Sequence, residues 1–384
     1  MKPQKVTAVI LAAGLSLRMK DFKPLLLLGG ITILERTVRL FHQNRIKDIQ
    51  VVVGHRSEDL LPLLQSCGAN WVVNESYREG MFSSVIAGIS RLEAGRDAFF
   101  LLPVDIPLVR PQTIPDLLNS YPETGKHILY PTFQGRRGHP PLIDAAFAEE
   151  IRLWKGEGGL RSFLRQYDAQ ALEVEVADEF ILSDVDTTAD YRKLASRYAN
   201  YDIPSPMECR VLLAKKFPLA GALREHCQKV AQAALRLAEE LNRAGCRLNL
   251  DLIVAAGLLH DLAKGQPDHA RTGEKILKEL GFPAVAEIVG AHKDILPRRE
   301  DQLIEEEVVY LADKMVRGNQ LVPLQESCQK AKERFSSDPR ASVMAAKRWT
   351  NAFWIKEKIE KKTGRELEFL FREPLPDGLS VETW

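Results

Sequence analysis

"VTAVILAAGLSLRMKDFKPLLLLGG", residues 6–30, decides how the first half of this chain folds. A short, β-rich apolar run is followed at once by Ala12, Ala13 and Gly14, then by Arg18 and Lys23. The run reads as a buried strand, and the small residues after it let backbone N–H groups approach a ligand without side-chain obstruction. Two positive charges a few residues on complete what a triphosphate needs. The turn is neither a Walker pattern, since no GK[ST] follows, nor GxGxxG; alone, it equally describes a strand-to-helix turn whose glycine and arginine serve packing and solubility. Outward from it to about residue 200, β-rich runs (6–11, 48–54, 70–73, 97–105, 127–133, 139–143 and 172–176) alternate with segments of helical apolar spacing (31–44, 81–95 and 158–167). The alternation predicts an α/β fold: a doubly wound, mostly parallel sheet covered on both faces, with ligands at the carboxyl ends of its strands.

A second stretch, "GLLHDLAKGQPDHA" at 257–270, belongs to a different regime. After Pro204 and Pro206 the β-rich runs stop, and helical patterns occupy 222–245, 250–264, 270–281 and 305–318, which predicts an all-α domain. The expected organisation is a first domain at 1–200, a linker at 201–207, a helical domain at 208–330 and a helical extension at 331–384, packing through Trp354, Ile355 and Ile359. A chain of 384 residues is longer than one core usually serves. Its net charge of +1 supplies no general attraction to nucleic acid or a membrane. Five cysteines scattered singly argue against a disulfide framework and fit a reducing, cytoplasmic setting. The first apolar run is too short to span a bilayer and lacks a signal-peptide cleavage pattern.

Asp105 follows an apolar run, and Asp184 and Asp186 follow another. A carboxylate at the end of a central strand must be solvated, paired or metal-bound. Two of them approaching from different strand ends suit Mg²⁺, which takes one or two carboxylates plus phosphate oxygens. The plainer alternative makes Asp186 a cap for a helix starting near Thr187 or Thr188. With these residues in view, five ordered stretches, 11–30, "EGMFSSVIAGI" (79–89), "LLPVDIPLV" (101–109), "RGHPPLI" (137–143) and "DVDTTADY" (184–191), resemble the MobA-like NTP transferases, most closely the molybdenum-cofactor cytidylyltransferase branch. The resemblance implies a Rossmann-like nucleotidyltransferase that moves a nucleoside monophosphate from an NTP to a phosphate monoester, such as molybdopterin, releasing pyrophosphate. It implies that Leu11, Ala12, Ala13 and Gly14 hold the nucleotide and that Arg18 and Lys23 hold the triphosphate. It also implies that Ser83 and Ser84 line the nucleotide pocket, and that Asp105 and Asp186 hold Mg²⁺. Gly138 and His139 would shape the acceptor pocket, although His139 can also be read as a turn residue packed on the sheet edge. The LAAG form, rather than LAGG, points to CTP. Lys20 stands where the family usually has glycine, which puts the triphosphate-loop geometry in question.

In the second half, residues 250–264 are apolar almost all round, so their helix is expected to be buried. His260 and Asp261 then enter a core-like setting together, and a divalent cation is the partner that uses both. His226 near the start of an amphipathic helix, His260-Asp261 and Asp313 resemble the HD-domain metal-dependent phosphohydrolases. His269 and His292 fall where dinuclear members place further ligands, or are exposed loop and helix residues. Mixed His/Asp ligands suit Mn, Fe, Ni or Zn better than Ca. Lys264 either neutralises a substrate phosphate or complements a helix C-terminus. Three functions are therefore compared: a bifunctional transferase and hydrolase; a sugar- or alcohol-phosphate nucleotidyltransferase whose HD half senses nucleotides; and a molybdenum-cofactor carrier or insertion chaperone serving a molybdoenzyme.

Overall fold

The computed structural model describes residues 5–19, 21–122, 127–298 and 302–371, so Lys20 lies outside the described residues. The chain divides into two compact units, Met1–Ala199 and Asn200–Trp384.

In the first unit β1 (Val6–Leu11) is buried along its length. Past the Lys23–Leu25 turn, β2 (Leu27–Leu28) and β3 (Ile31–Thr32) form a small antiparallel hairpin. Its two-residue turn, Gly29-Gly30, holds both residues at positive φ, where glycine carries no Cβ penalty. Helix α1 (Ile33–Gln43) starts where the Thr32 side chain accepts the Glu35 amide at 3.1 Å. β4 (Asp48–Val53), α2 (Ser57–Cys67), β5 (Asn70–Val73), α3 (Met81–Ile89), β6 (Ala98–Pro103) and α4 (Thr113–Ser120) follow. The unit closes with β7 (Ile128–Phe133), β8 (Arg136–Arg137), β9 (Leu142–Asp144), α5 (Ala148–Leu153), α6 (Gly159–Arg165), β10 (Ala171–Glu175) and α7 (Thr188–Tyr198).

The sheet runs β10-β7-β9-β6-β1-β4-β5, with β8 hydrogen-bonded to β7. Every pairing among β6, β1, β4 and β5 is parallel, as is β7 with β10, whereas β9 is antiparallel to both neighbours. Side chains alternate between two buried faces, as strands covered on both sides require. Phe99 and Leu101 of β6 join Val9, Val85 and Ile89 in one core, while Phe100 between them meets Phe41 of α1 at 5.7 Å.

The second unit begins with α8 (Pro206–Val211), so Pro206 and Met207, expected in a linker, already form its first turn, capped by Ser205 and Glu208. Then come α9 (Gly221–Arg243), α10 (Leu250–Leu259), α11 (His269–Glu279), α12 (Pro283–Ala291), α13 (Glu305–Met315), α14 (Leu324–Arg334) and α15 (Pro339–Thr363). Between α13 and α14 lies a feature an all-α reading did not contain, an antiparallel hairpin of β11 (Val316–Arg317) and β12 (Gln320–Leu321). Residues 253–259 of α10 are buried, and a Cβ on Gly257 would stand 2.7 Å from the Ala231 Cα, so α9 and α10 cross at backbone contact. The C-terminal helix is integral to the unit. Lys358 of α15 donates to both carboxylate oxygens of Glu307 on α13, at 2.9 and 2.8 Å, and both side chains are buried. Ile355 and Ile359 are fully buried beside them, while Trp354 is only half-buried.

Candidate functional site

In each unit a cluster of ionisable groups forms where site residues were expected. In the first, the turn after β1 and the strand end at Asp105 come together with the segment leading into α7. Lys23 Nζ donates to Asp186 Oδ1 at 2.9 Å and stands 3.6 Å from Asp105 Oδ2; Arg18 donates to Asp186 Oδ2 at 2.6 Å. One ammonium thus sits between two carboxylates, the place a dication would take, so the donor set fits a hard metal. Burial pushes the Asp105 carboxyl above its ordinary range against the pull of Lys23, and Asp186 and Asp184 push the same way. Asp186 is held below the carboxylate range, chiefly by its bond from Lys23. It is not the helix cap: Thr187 accepts the Asp190 amide, and the Asp190 carboxylate accepts the Thr187 amide.

The turn itself departs from expectation. The Ala12 amide donates to the Val52 carbonyl of β4 at 2.8 Å, so it is engaged in the sheet rather than offered to a nucleotide. Leu11, Ala12 and Ala13 are buried, whereas Gly14 is exposed and a Cβ there would meet no atom within 4 Å. The free face of the loop therefore begins at Gly14. Ser16, at φ 51°, shapes that loop and accepts the Lys23 amide through Oγ at 3.3 Å.

Ser83 and Ser84 do sit together at the start of α3, but Asn74 organises them, its amide donating to both hydroxyls at 2.9 and 3.0 Å. Ser84 is buried, which removes it from direct contact with a nucleotide. A cleft of 890 Å³ opens beside the carboxyl ends of β1 and β6, walled by Leu11, Phe82, Leu101, Pro103, Tyr130 and His139, with Arg137, Arg161 and Arg165 also lining it. Gly138 lines the cleft as well, yet its lack of a side chain answers to packing: a Cβ would stand 2.6 Å from the Ile181 carbonyl oxygen. Burial lowers the His139 pKa, favouring the neutral ring, whose Nδ1 is buried without a hydrogen-bond partner.

In the second unit all six expected ligands converge from α9, the end of α10, the start of α11, the end of α12, and α13. His226 Nε2 and His260 Nε2 lie 3.3 and 3.5 Å from Asp313 Oδ1. His269 Nε2 and His292 Nε2 lie 3.3 and 3.6 Å from Asp261 Oδ1, and His260 Nε2 lies 3.6 Å from Asp261 Oδ2. Two triads of ligand atoms result, His226-His260-Asp261 and Asp261-His269-His292, and Asp261 belongs to both.

Backbone carbonyls set the histidine tautomers. Nδ1 of His226, His260 and His292 faces the carbonyls of Gly318, Gly257 and Val289 at 3.0, 2.8 and 2.6 Å. A ring nitrogen against a carbonyl carries the hydrogen, which leaves the Nε2 lone pair for a metal. The β11–β12 turn, invisible in the helical pattern, supplies the Gly318 carbonyl. His260 Nε2 is buried with no hydrogen-bond partner, a vacancy in the bonding of a polar atom that a cation would fill. Burial opposes ionisation of Asp313, but Lys314 and the neighbouring His226 and His260 hold its carboxyl well below the ordinary range. Asp261 is likewise held low against burial by His292, His260 and Lys264.

Comparison with known proteins matches the same two regions. The MobA-like NTP transferase domain matches residues 8–171, and the HD domain matches residues 223–318. The chain joins a MobA-like NTP transferase domain to an HD domain. The bifunctional protein GlmU of Methylococcus capsulatus is 30% identical over 152 residues, covering 39% of this chain and 32% of that protein, so the similarity spans about a third of its length. Nicotine blue oxidoreductase of Paenarthrobacter nicotinovorans is 29% identical over 196 residues, covering 49% of this chain and 96% of that protein. A solved nucleotidyl transferase from Methanothermobacter thermautotroptrophicus is 22% identical, with a TM-score of 0.46 over 51% of this chain and 99% of that one. No helix among the described residues is long and apolar enough to cross a membrane.

Two lysines of the HD domain hold the carboxylates of the cluster. Lys264 donates to both oxygens of Asp261, at 3.1 and 2.9 Å, and so meets a carboxylate of the cluster rather than the end of a helix. Lys314, not singled out in the sequence because a lysine beside an aspartate on a helix is commonplace, donates to Asp313 Oδ2 at 2.7 Å. In the transferase domain Asn74 and Ser16 were also missed, because their partners Ser83, Ser84 and Lys23 stand at spacings that neither helix nor strand periodicity marks.

Proposed function

We propose that the protein is bifunctional: its transferase domain moves CMP from CTP to a phosphate monoester of the molybdopterin type, and its HD domain hydrolyses a phosphate ester or anhydride at a dinuclear metal site. The observation that carries the reading is the convergence of four histidine Nε2 atoms on two aspartates, Asp261 and Asp313, including the unpartnered, buried His260 Nε2. That donor set would suit Mn, Fe, Ni or Zn, with His226, His260 and Asp261, and Asp261, His269 and His292, as the groups that would hold it. When bound, such ions supply charge neutralisation and a more acidic water for attack on phosphorus. The chain's own part is to hold the Nε2 lone pairs inward through the three carbonyl bonds and to keep both carboxylates ionised.

In the transferase domain the acceptor phosphate attacks the α-phosphorus in line, and negative charge gathers on the leaving pyrophosphate. Arg18 and Lys23 neutralise it by exchanging Asp186 for phosphate oxygens; Asp105 and Asp186 would hold Mg²⁺, which would supply further charge neutralisation. The cleft beside β1 and β6 receives the acceptor, with Phe82 and Tyr130 for a flat ring and Arg161 and Arg165 for its phosphate.

The test is pyrophosphate release by the purified full chain with Mg²⁺, molybdopterin and each of the four NTPs in turn, with a panel of phosphoesters assayed in parallel. Release with CTP alone supports the reading, and silence with every nucleotide ends its first half. A second reading is favoured by the relative named as an oxidoreductase, which aligns over nearly all of its own length: the first unit binds a heterocycle without transferring a nucleotide. Tight binding of the nucleotide product with no pyrophosphate formed would select it.

A further inference from the structure

The two carboxylates of the HD cluster are each met by a lysine, and the two lysines meet them in different ways. Lys314 has a largely buried side chain, at 15% exposure, and its Nζ lies over the Tyr310 ring at 4.6 Å and 3.4 Å from the His292 carbonyl. It takes Oδ2 of Asp313, leaving Oδ1 toward the Nε2 atoms of His226 and His260. Lys264 is 48% exposed, precedes Gly265 at φ 94°, and takes both oxygens of Asp261, the residue common to the two triads.

We propose that Lys314 is a positioning residue that orients Asp313 for a metal, whereas Lys264 competes with metal for Asp261, so the two lysines act on metal affinity with opposite signs. This rests on the reading of the HD cluster as a metal centre. Coulomb repulsion alone makes either lysine unfavourable to a nearby cation. Lys314 overcomes that because Asp313 is largely enclosed, at 18% exposure: without its partner the carboxylate loses the contact that fixes its rotation, and Oδ1 is no longer held at the histidines. Outer-shell partners of metal ligands typically contribute about 10- to 100-fold to affinity. Lys264 offers no such restraint, since the oxygens it holds are the ones a metal needs. Metal entry displaces its ammonium from Asp261, and its exposed stem lets it swing away.

Mn²⁺ binding by the chelator-stripped full chain, read by calorimetry and by the free-ion electron spin resonance signal, tests this directly. Lys314→Met should weaken binding by about 10- to 100-fold, Lys314→Arg should recover most of it, and Lys264→Met should tighten binding by up to about fivefold. Circular dichroism of each metal-free variant checks that it folds; should Lys314→Met not fold, Lys314→Gln and the Lys264→Met arm carry the test. If both Met variants bind more tightly, Coulomb repulsion is the whole effect and the positioning role is wrong; unchanged affinity in both overturns the proposal outright. Absence of Mn²⁺ and Zn²⁺ binding by the unsubstituted chain would instead remove the metal-centre reading beneath it.

Discussion

The transferase site and the HD site are both built from aspartates and cations, yet they are prepared for ligands to different degrees. In the HD domain three imidazoles are locked by backbone carbonyls and their Nε2 atoms already converge. In the transferase domain the exposed Arg18 and the loop around Gly14 and Ser16 carry the site, and its cations are engaged with Asp186. A metal centre needs ligand atoms within a few tenths of an ångström, so helices and carbonyl anchors hold them. A triphosphate is large and arrives with its own charge, so a loop can exchange partners when it binds.

Asp261→Ala breaks this comparison most severely. Because Asp261 belongs to both triads, we expect metal affinity to fall by more than about 100-fold at both positions, measured by metal analysis after dialysis, with nucleotide transfer unchanged. Loss of transfer as well would mean that the two clusters do not act independently.

The rigidity of the HD scaffold is tested next by Lys358→Met, which leaves Glu307 charged and buried. Breaking such a pair typically costs about 3–5 kcal/mol, and urea unfolding followed by helical circular dichroism should register it. A cost below about 1 kcal/mol would mean that α15 contributes little to the stability of the unit that carries the histidine–aspartate cluster.

Asp105→Asn should reduce pyrophosphate release by about 100-fold or more while raising thermal stability at neutral pH. The sign follows from its raised carboxyl pKa: such a group favours the folded state below its unfolded pKa and loses that contribution as pH rises through the folded value. The stability gain should therefore disappear below about pH 4, where the unfolded aspartate is also protonated. A neutral-pH loss of stability would show that the ion pair with Lys23 outweighs burial.

The smallest effects belong to the loop and its support. Asn74→Ala leaves the buried Ser84 hydroxyl without its amide donor, at about 1–3 kcal/mol, visible as a lower melting temperature. Gly14→Ala, into open space, should change stability by no more than about 0.5 kcal/mol but weaken nucleotide binding in titrations. Equal binding would move the ligand away from this turn.

Much of the fold was legible because burial imposes periodicity. The seven main strands appear where their β-rich runs lie, and α10 is buried as its all-round apolar character required. The antiparallel setting of β9 was not legible, since a strand between two neighbours shows the same apolar residues whichever way it runs. Of the sites, the convergence of His226, His260, Asp261, His269, His292 and Asp313 was readable because histidine and aspartate in apolar helices need a reason to be there. Ala12 and Ser84 misled, because a small or hydroxyl residue beside a ligand loop looks the same whether its polar groups face the ligand or the protein.

By itself the amino-acid order determined two domains, their architectures and the chemistry available to each, because hydrophobic spacing and the placing of charge among apolar residues act locally along the chain. Only the tertiary structure decided which nitrogen of each histidine faces the cluster, which lysine holds which aspartate, and where the free face of the nucleotide loop begins. Those outcomes depend on hydrogen bonds between groups as far apart as His226 and Gly318, and their geometry exists only once the helices have packed.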